Sequence, residues 1–267
     1  MPFAKVNGIN IHYKLEGDGP EIVVLVNGLA DDLETWEGQM DDLLNEGFRV
    51  LRYDNRGIGK SDRPAGHYTT RQMADDGKAL VDHLGISDFH LLGVSMGGMI
   101  AQEWALAYPD DLRSALFCAT YAWPGPFCTR MFEFWRDAAP KIGPAEIMRD
   151  VTVWAFTQDF FENRTDELEG FEKEVALLDQ TPEHYLAQLN SIIEHDTRDR
   201  LKNITVPTLV LAGEEDILIP VELSRRLHQG IAGSVWATCK GGHACLWEHP
   251  KSFNDEAIKF MNAHRRS

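Results

Sequence analysis

Cysteine is scarce in this chain. The four residues at 118, 128, 239 and 245 follow no framework spacing, which excludes a disulfide-built scaffold and suits thiols in a reducing compartment. Basic residues are the minority, 26 Lys and Arg against 42 Asp and Glu, for a net charge of −16. Such a surface repels phosphate backbones and anionic lipid, so neither nucleic acid nor a membrane surface is expected as a partner. No apolar run approaches the roughly 18 residues of a membrane span, and the opening MPFAKVNGINIHYKLEGDG lacks the apolar core of a secretion signal, so a cytoplasmic location is expected. Internal repeats and low-complexity tracts are also missing. What is present is ordinary globular composition, 43% apolar and 10% aromatic over 267 residues, a length that permits two domains, or one α/β domain of about 250 residues carrying an insertion.

Eight short β-rich runs can be read along the chain: Phe3–Val6, Ile9–Leu15, Ile22–Val26, Arg49–Tyr53, Phe89–Val94, Ala115–Ala119, Thr208–Ala212 and Ser234–Thr238. Helical patterns over Trp36–Glu46, Arg71–Leu84, Gly97–Tyr108, Pro220–His228 and Pro250–His264 alternate with them. This alternation predicts an α/β fold, a mostly parallel eight-stranded sheet covered by helices on both faces. Asn7-Gly8 between the first two runs predicts an antiparallel hairpin at its edge. The alternation stops between about Tyr121 and Asn203, which reads as an inserted helical cap (121–203) on a core made of 1–120 and 204–267. The 80 residues from Tyr121 to Arg200 hold 12 of the 26 aromatics. Trp123, Phe127, Trp135 and Trp154 are the candidates to line an apolar ligand pocket, with plain packing of the cap on the core as the competing explanation.

The segment Gly93-Val94-Ser95-Met96-Gly97 is a GxSxG pattern between an apolar strand and a helical run, the strand-to-helix turn that projects a nucleophilic serine. Glycines at 93 and 97 allow the sharp turn, and the helix start lies under the Ser95 hydroxyl. A serine hydroxyl needs a base, and the base needs an orienting acid. Among ten histidines, His243 stands out: it follows a strand and Gly241-Gly242 on a loop before the last helix. His249 is explained as the residue before Pro250 at a helix start, and His12, His83 and His90 fall within strand or helix patterns. The acid belongs beyond the preceding parallel strand, where Glu214, Glu215 and Asp216 crowd. Asp216 closes a GxxD turn and is the first choice, with Glu215 the alternative.

Two other constellations are weaker. Cys239, His243, Cys245 and His249 have spacings that suggest a zinc site, but zinc there would occupy the one well-placed base. Gly57-Ile58-Gly59-Lys60-Ser61 lacks the phosphate loop's first glycine, since position 54 is Asp. No metal or cofactor is expected.

Over nearly its whole length the chain resembles the α/β-hydrolase superfamily. The resemblance rests on the Ser95 elbow, on Asn27-Gly28-Leu29 where the family usually has His-Gly, on Tyr53-Asp54-Asn55-Arg56-Gly57 through Asp62, and on Gly242-His243 with Glu248 and Pro250. From Val26 to Ala122 it is most similar to 3-oxoadipate enol-lactonases and related lactone and ester hydrolases. The resemblance implies an α/β-hydrolase fold, a Ser95–His243–Asp216 triad, and an oxyanion hole made by the backbone N–H groups of Leu29 and Met96. Asn27 in place of His puts the local support of that loop in question.

The expected activity is cofactor-free hydrolysis of a carboxylic ester or lactone through an acyl-enzyme. Carbon–carbon bond hydrolysis and perhydrolysis are alternatives that would use the same triad, and a small-lactone receptor is the alternative outside catalysis. The expected partner is a small molecule, with homo-oligomerisation left open. From Tyr121 to Arg200 there are 8 Lys and Arg against 16 Asp and Glu. An acidic, aromatic cap favours a neutral apolar substrate over an anion, unless Arg130 or Arg136 turns inward to hold a carboxylate.

Overall fold

The computed structural model describes residues 2–177 and 179–266. Its strands are β1 (Phe3–Val6), β2 (Ile9–Glu16), β3 (Glu21–Val26), β4 (Phe48–Tyr53), β5 (Phe89–Val94), β6 (Leu112–Cys118), β7 (Thr208–Gly213) and β8 (Val235–Cys239). They form one sheet in the order β1-β2-β4-β3-β5-β6-β7-β8. The β1–β2 hairpin turns through Asn7 and Gly8, both with positive φ (48° and 81°), the backbone a two-residue hairpin turn requires. Strand β2 is also antiparallel to β4, and every pairing from β4 through to β8 is parallel. The sixth strand begins at Leu112, before the apolar run that predicts it at Ala115. Arg113 and Ser114 break the apolar pattern there, yet both are partnered: Arg113 pairs with Asp88, and Ser114 Oγ lies 2.7 Å from His90 Nδ1.

The helices are α1 (Glu37–Asn45), α2 (Thr70–His83), α3 (Met96–Ala107), α4 (Gly125–Ile142), α5 (Pro144–Ala155), α6 (Gln158–Asn163), α7 (Thr165–Ala176), α8 (Pro182–Ile193), α9 (Val221–Gly230), α10 (Cys245–Glu248) and α11 (Pro250–Asn262). Because strand side chains alternate between faces, Val23, Leu25, Val50, Leu92, Leu116 and Leu211 join Met40, Leu43, Phe253 and Met261 of α1 and α11 in one buried layer. Val24, Val26, Leu51, Leu91, Phe117 and Val210 join Met73, Met99, Trp104 and Leu227 of α2, α3 and α9 in the other. Helices α4–α8 lie between β6 and β7 in sequence. Their buried residues, among them Phe132, Trp135, Ile147, Phe160 and Ile192, continue the second layer. No helix among the described residues is long and apolar enough to cross a membrane.

Parallel pairing brings the C-terminal ends of β3, β5, β6, β7 and β8 to one edge of the sheet, where open α/β sheets bind ligands. The loops that leave those ends carry Ser95, Asp216 and His243.

Candidate active site

Ser95 sits between β5 and α3 with φ 54° and ψ −119°, a backbone state that costs a non-glycine residue on the order of 1–3 kcal/mol. Its neighbours hold it there. The Ser95 N–H donates to Cys118 O at 2.9 Å, and its carbonyl accepts from Thr120 Oγ1 at 2.8 Å and from the Gly98 N–H at 3.0 Å. The turn is tight enough that a Cβ on Gly97 would lie 2.0 Å from Val26 O, so only glycine fits between the elbow and β3.

Asp216 follows β7. Its Oδ2 lies 2.8 Å from His243 Nδ1, and its Oδ1 accepts the Ile219 N–H at 2.8 Å. Glu214 and Glu215 are exposed while Asp216 is buried, so of the three clustered carboxyls Asp216 is the one in contact with the imidazole. That contact fixes Nδ1 as the protonated nitrogen and leaves the Nε2 lone pair. Gly213 lets the two loops meet, since a Cβ there would lie 2.0 Å from Gly242 O. The histidine loop is braced by Glu248, whose Oε1 accepts the Gly242 N–H at 3.1 Å and the Thr157 N–H at 3.2 Å, and whose Oε2 accepts from Thr157 Oγ1 at 2.7 Å. His195 is fully enclosed elsewhere, beside Thr70 and Gln102, and burial pushes it down to about 3.

Ser95 and His243 open on one pocket. The loop after β3 contributes Leu29 and Asp31, α4 contributes Phe132 and Trp135, and α5 contributes Met148, Val151, Thr152 and Ala155. Phe171, Ile192, Leu218 and Trp247 extend the apolar wall. Of the aromatic candidates, Trp135 lines this space. Trp123, Phe127 and Trp154 are not among its walls, which corrects that expectation. Helix α4 buries Cys128, Phe132, Trp135 and Ala139 on one stripe, and Phe127, one residue off it, is 51% exposed. Trp154 is half-buried against the core outside the cavity and donates Nε1–H to Asp150 at 3.3 Å, and Trp123 lies under the Arg198 guanidinium. Arg130 is exposed, and Arg136 faces Glu133 and Asp137; neither reaches the pocket.

The loop after β3 has its own support. Asn27 is fully buried, donating to Tyr53 O at 2.9 Å and Asp31 O at 3.3 Å and accepting from Trp36 Nε1 at 2.8 Å. Asn27 therefore ties this loop to β4 and to Trp36. Ala30 takes φ 60° and donates its N–H to Gln188 Oε1 of α8 at 3.3 Å. Met96 opens α3, where the first N–H groups have no partner within the helix.

Cys239 and Cys245 are buried in the core layer against α11. Among the described residues no group of three or more His, Cys, Asp or Glu is placed to hold a metal ion. Asp31, Gln188 and Thr120 escaped the reading of the sequence. A signal existed for Asp31: of the pair Asp31-Asp32, only Asp32 is used as a helix cap, accepting from Glu34 N–H, which leaves its neighbour unexplained.

Residues 21–250 match the family described as alpha/beta hydrolase fold. A relative designated carbamate hydrolase RutD, from Caulobacter vibrioides, is 29% identical over 266 residues, 98% of each chain. The crystal structure of the enol-lactonase from Burkholderia xenovorans LB400 superposes with a TM-score of 0.90 at 30% identity, covering 98% of this chain and all of that one. That of a thermophilic esterase from Thermogutta terrifontis gives 0.89 at 28% identity, over 99% and 100%. Sheet order, elbow and sequence thus agree, and the chain belongs to the α/β-hydrolase family.

Proposed function

We propose that the protein is a serine hydrolase that cleaves a carboxylic ester or lactone of a neutral, largely apolar small molecule. The observation that carries this reading is the His243–Asp216 hydrogen bond beside the strained Ser95 elbow, with both Ser95 and His243 in one apolar pocket. His243 Nε2 takes the hydroxyl proton as Ser95 Oγ attacks the carbonyl, and Asp216 stabilises the imidazolium. The Leu29 and Met96 N–H groups receive the developing oxyanion. Because the Ala30 N–H is already committed to Gln188, Leu29 supplies the donor from this loop. Losing one such donor typically costs about 10²–10³ in rate. His243 then protonates the leaving alkoxide and activates water against the acyl-enzyme. Enol-lactonase, esterase and carbamate hydrolase, the names borne by relatives, are all hydrolases and support the class of reaction.

The neutral substrate follows from the walls. The residues lining the pocket include no Lys or Arg, and Asp31 is there instead. In the test, Ser95→Ala removes ester and lactone turnover while the fold persists, and a serine-reactive phosphonate labels Ser95 in the parent. Turnover undiminished in Ser95→Ala would defeat the mechanism.

A further inference from the structure

The pocket contains one charged side chain that the proposed reaction does not use. Asp31 comes from the loop after β3 and lines the cavity together with Ser95 and His243. Its distance from the nucleophile is bounded by a shared neighbour. The point where a Cβ on Gly28 would sit lies 2.6 Å from Asp31 Oδ2 and 3.5 Å from Ser95 Cβ, so those two atoms are at most 6.1 Å apart. That is within reach of the first atoms of a substrate bonded to the reacting carbonyl. The other polar side chains lining the cavity outside the proposed triad donate elsewhere: Thr152 Oγ1 to Arg149 O at 2.7 Å, Trp135 Nε1 to Asp150 Oδ2 at 2.9 Å and Trp247 Nε1 to Thr35 O at 3.0 Å.

We propose that Asp31 is the specificity-determining residue of this pocket: its carboxyl accepts a hydrogen bond from an N–H or O–H group next to the reacting carbonyl and turns away substrates with a carboxylate there. The inference rests on the hydrolase reading, and it names the substrate class of the same site.

The physical argument has two parts. Asp31 is half-buried in a cavity whose walls are otherwise mostly apolar, Leu29, Val94 and Met99 among them, so its carboxyl has lost part of its water and a donor on the ligand replaces a lost partner, whereas a second carboxylate places like charges a few ångströms apart where water screens them less than in bulk. The charged groups that face Asp31 are Asp32, which adds to the repulsion, and His243, which opposes it. Burial, with Asp32 beside it, pushes the Asp31 carboxyl up to about 7, against a lowering by His243 and by the Gly28 N–H. Rejection of carboxylates is therefore weak near pH 6, where the carboxyl is largely protonated, and strong near pH 8.5.

The experiment has two arms. In the first, kcat/KM is measured at pH 6 and 8.5 for phenyl esters of hydroxyacetate, methoxyacetate and malonate, on the parent and on Asp31→Asn. Taking ratios between esters cancels whatever pH dependence the hydrolytic step has in common for all three. The parent is expected to prefer the hydroxyl over the methoxyl ester, and to discriminate against the malonate at least tenfold more at pH 8.5 than at pH 6. Asp31→Asn raises malonate turnover at pH 8.5 about tenfold and makes the ratio independent of pH. In the second arm, calorimetry at pH 8.5 compares phenylacetamide with phenylacetate binding to Ser95→Ala and to Ser95→Ala with Asp31→Asn. A tenfold preference for the amide that vanishes with Asp31→Asn supports the assignment without any turnover. Should Asp31→Asn fold poorly by circular dichroism, Asp31→Ser is read in its place. Loss of turnover on all three esters with the binding preference intact overturns the acyl-enzyme reading alone. Ratios and preferences that are the same with and without Asp31 overturn the specificity role alone.

Discussion

Single side chains decide the chemistry proposed here, and two carboxylates of the same type play opposite parts. Asp216 is buried but well partnered, by His243 and the Ile219 N–H. Asp31 is half-buried with less compensation, and its proton is held up to about 7. Asp216→Asn is expected to lower kcat by about 10⁴, the scale seen when a triad carboxylate is lost elsewhere. Glu215→Gln, at an exposed position, should change it less than threefold. Steady-state kinetics on the two variants checks this, and a large loss in Glu215→Gln would move the acid one residue upstream. Asp31 has a signature in stability. Its folded form holds the proton to about pH 7, whereas the unfolded chain releases it near pH 4. Between those values the unfolded state binds fewer protons, so stability falls as pH rises through the window and stays lowered above it. Asp31→Asn removes that penalty. Its Tm should match the parent at pH 4 and exceed it by roughly 2–6 °C at pH 8, as measured by thermal scans across pH.

At the scale of elements, the site is an agreement among loops that leave one edge of the sheet. The elbow is local: β5, a glycine-flanked serine and α3 follow one another in sequence. The loop proposed to hold the oxyanion depends on a distant helix, because Gln188 of α8 accepts the Ala30 N–H and donates to Arg56 O at 2.9 Å, while Gln180 donates to both Gln188 Oε1 and Gly57 O at 3.0 Å. Gln188→Ala leaves several buried polar groups without partners, each worth about 1–3 kcal/mol. The expected result is a loss of kcat of about tenfold or more with little change in KM, because the oxyanion donors act on the transition state. A rise in KM at constant kcat would place Gln188 in ground-state binding instead. The strands and the hairpin were legible in the sequence because a period of two and an Asn-Gly turn are local signals. The pocket wall was not: that Trp135 faces inward while Phe127 and Trp154 do not depends on which stripe of α4 and α5 meets the sheet.

Across the whole molecule, charge sets the terms on which a substrate arrives. The net charge of −16 makes a long-range field that slows anions and that salt screens over about 8–10 Å. For a matched neutral and carboxylated lactone, kcat/KM of the neutral one should be higher, and the gap should narrow as ionic strength rises. A contribution that survives high salt belongs to Asp31, which lies too close to a bound ligand for ions to intervene. A clear preference for the carboxylated lactone would restore an anionic substrate and leave the proposed triad untouched.

The sequence alone determined the sheet with its two helical layers, the segment that interrupts it, the serine elbow and the histidine loop. Each of these is written in contiguous residues, through apolar periodicity, turn glycines and position relative to a strand. The tertiary structure decided which of three neighbouring carboxyls meets His243, that Asn27 braces the loop after β3, which aromatics face the cavity, and that Asp31 lines it together with Ser95. Those outcomes depend on contacts between residues far apart in the chain, 158 positions in the case of Ala30 and Gln188, and on how a buried carboxyl is compensated. Neither is fixed until the helices are packed on the sheet.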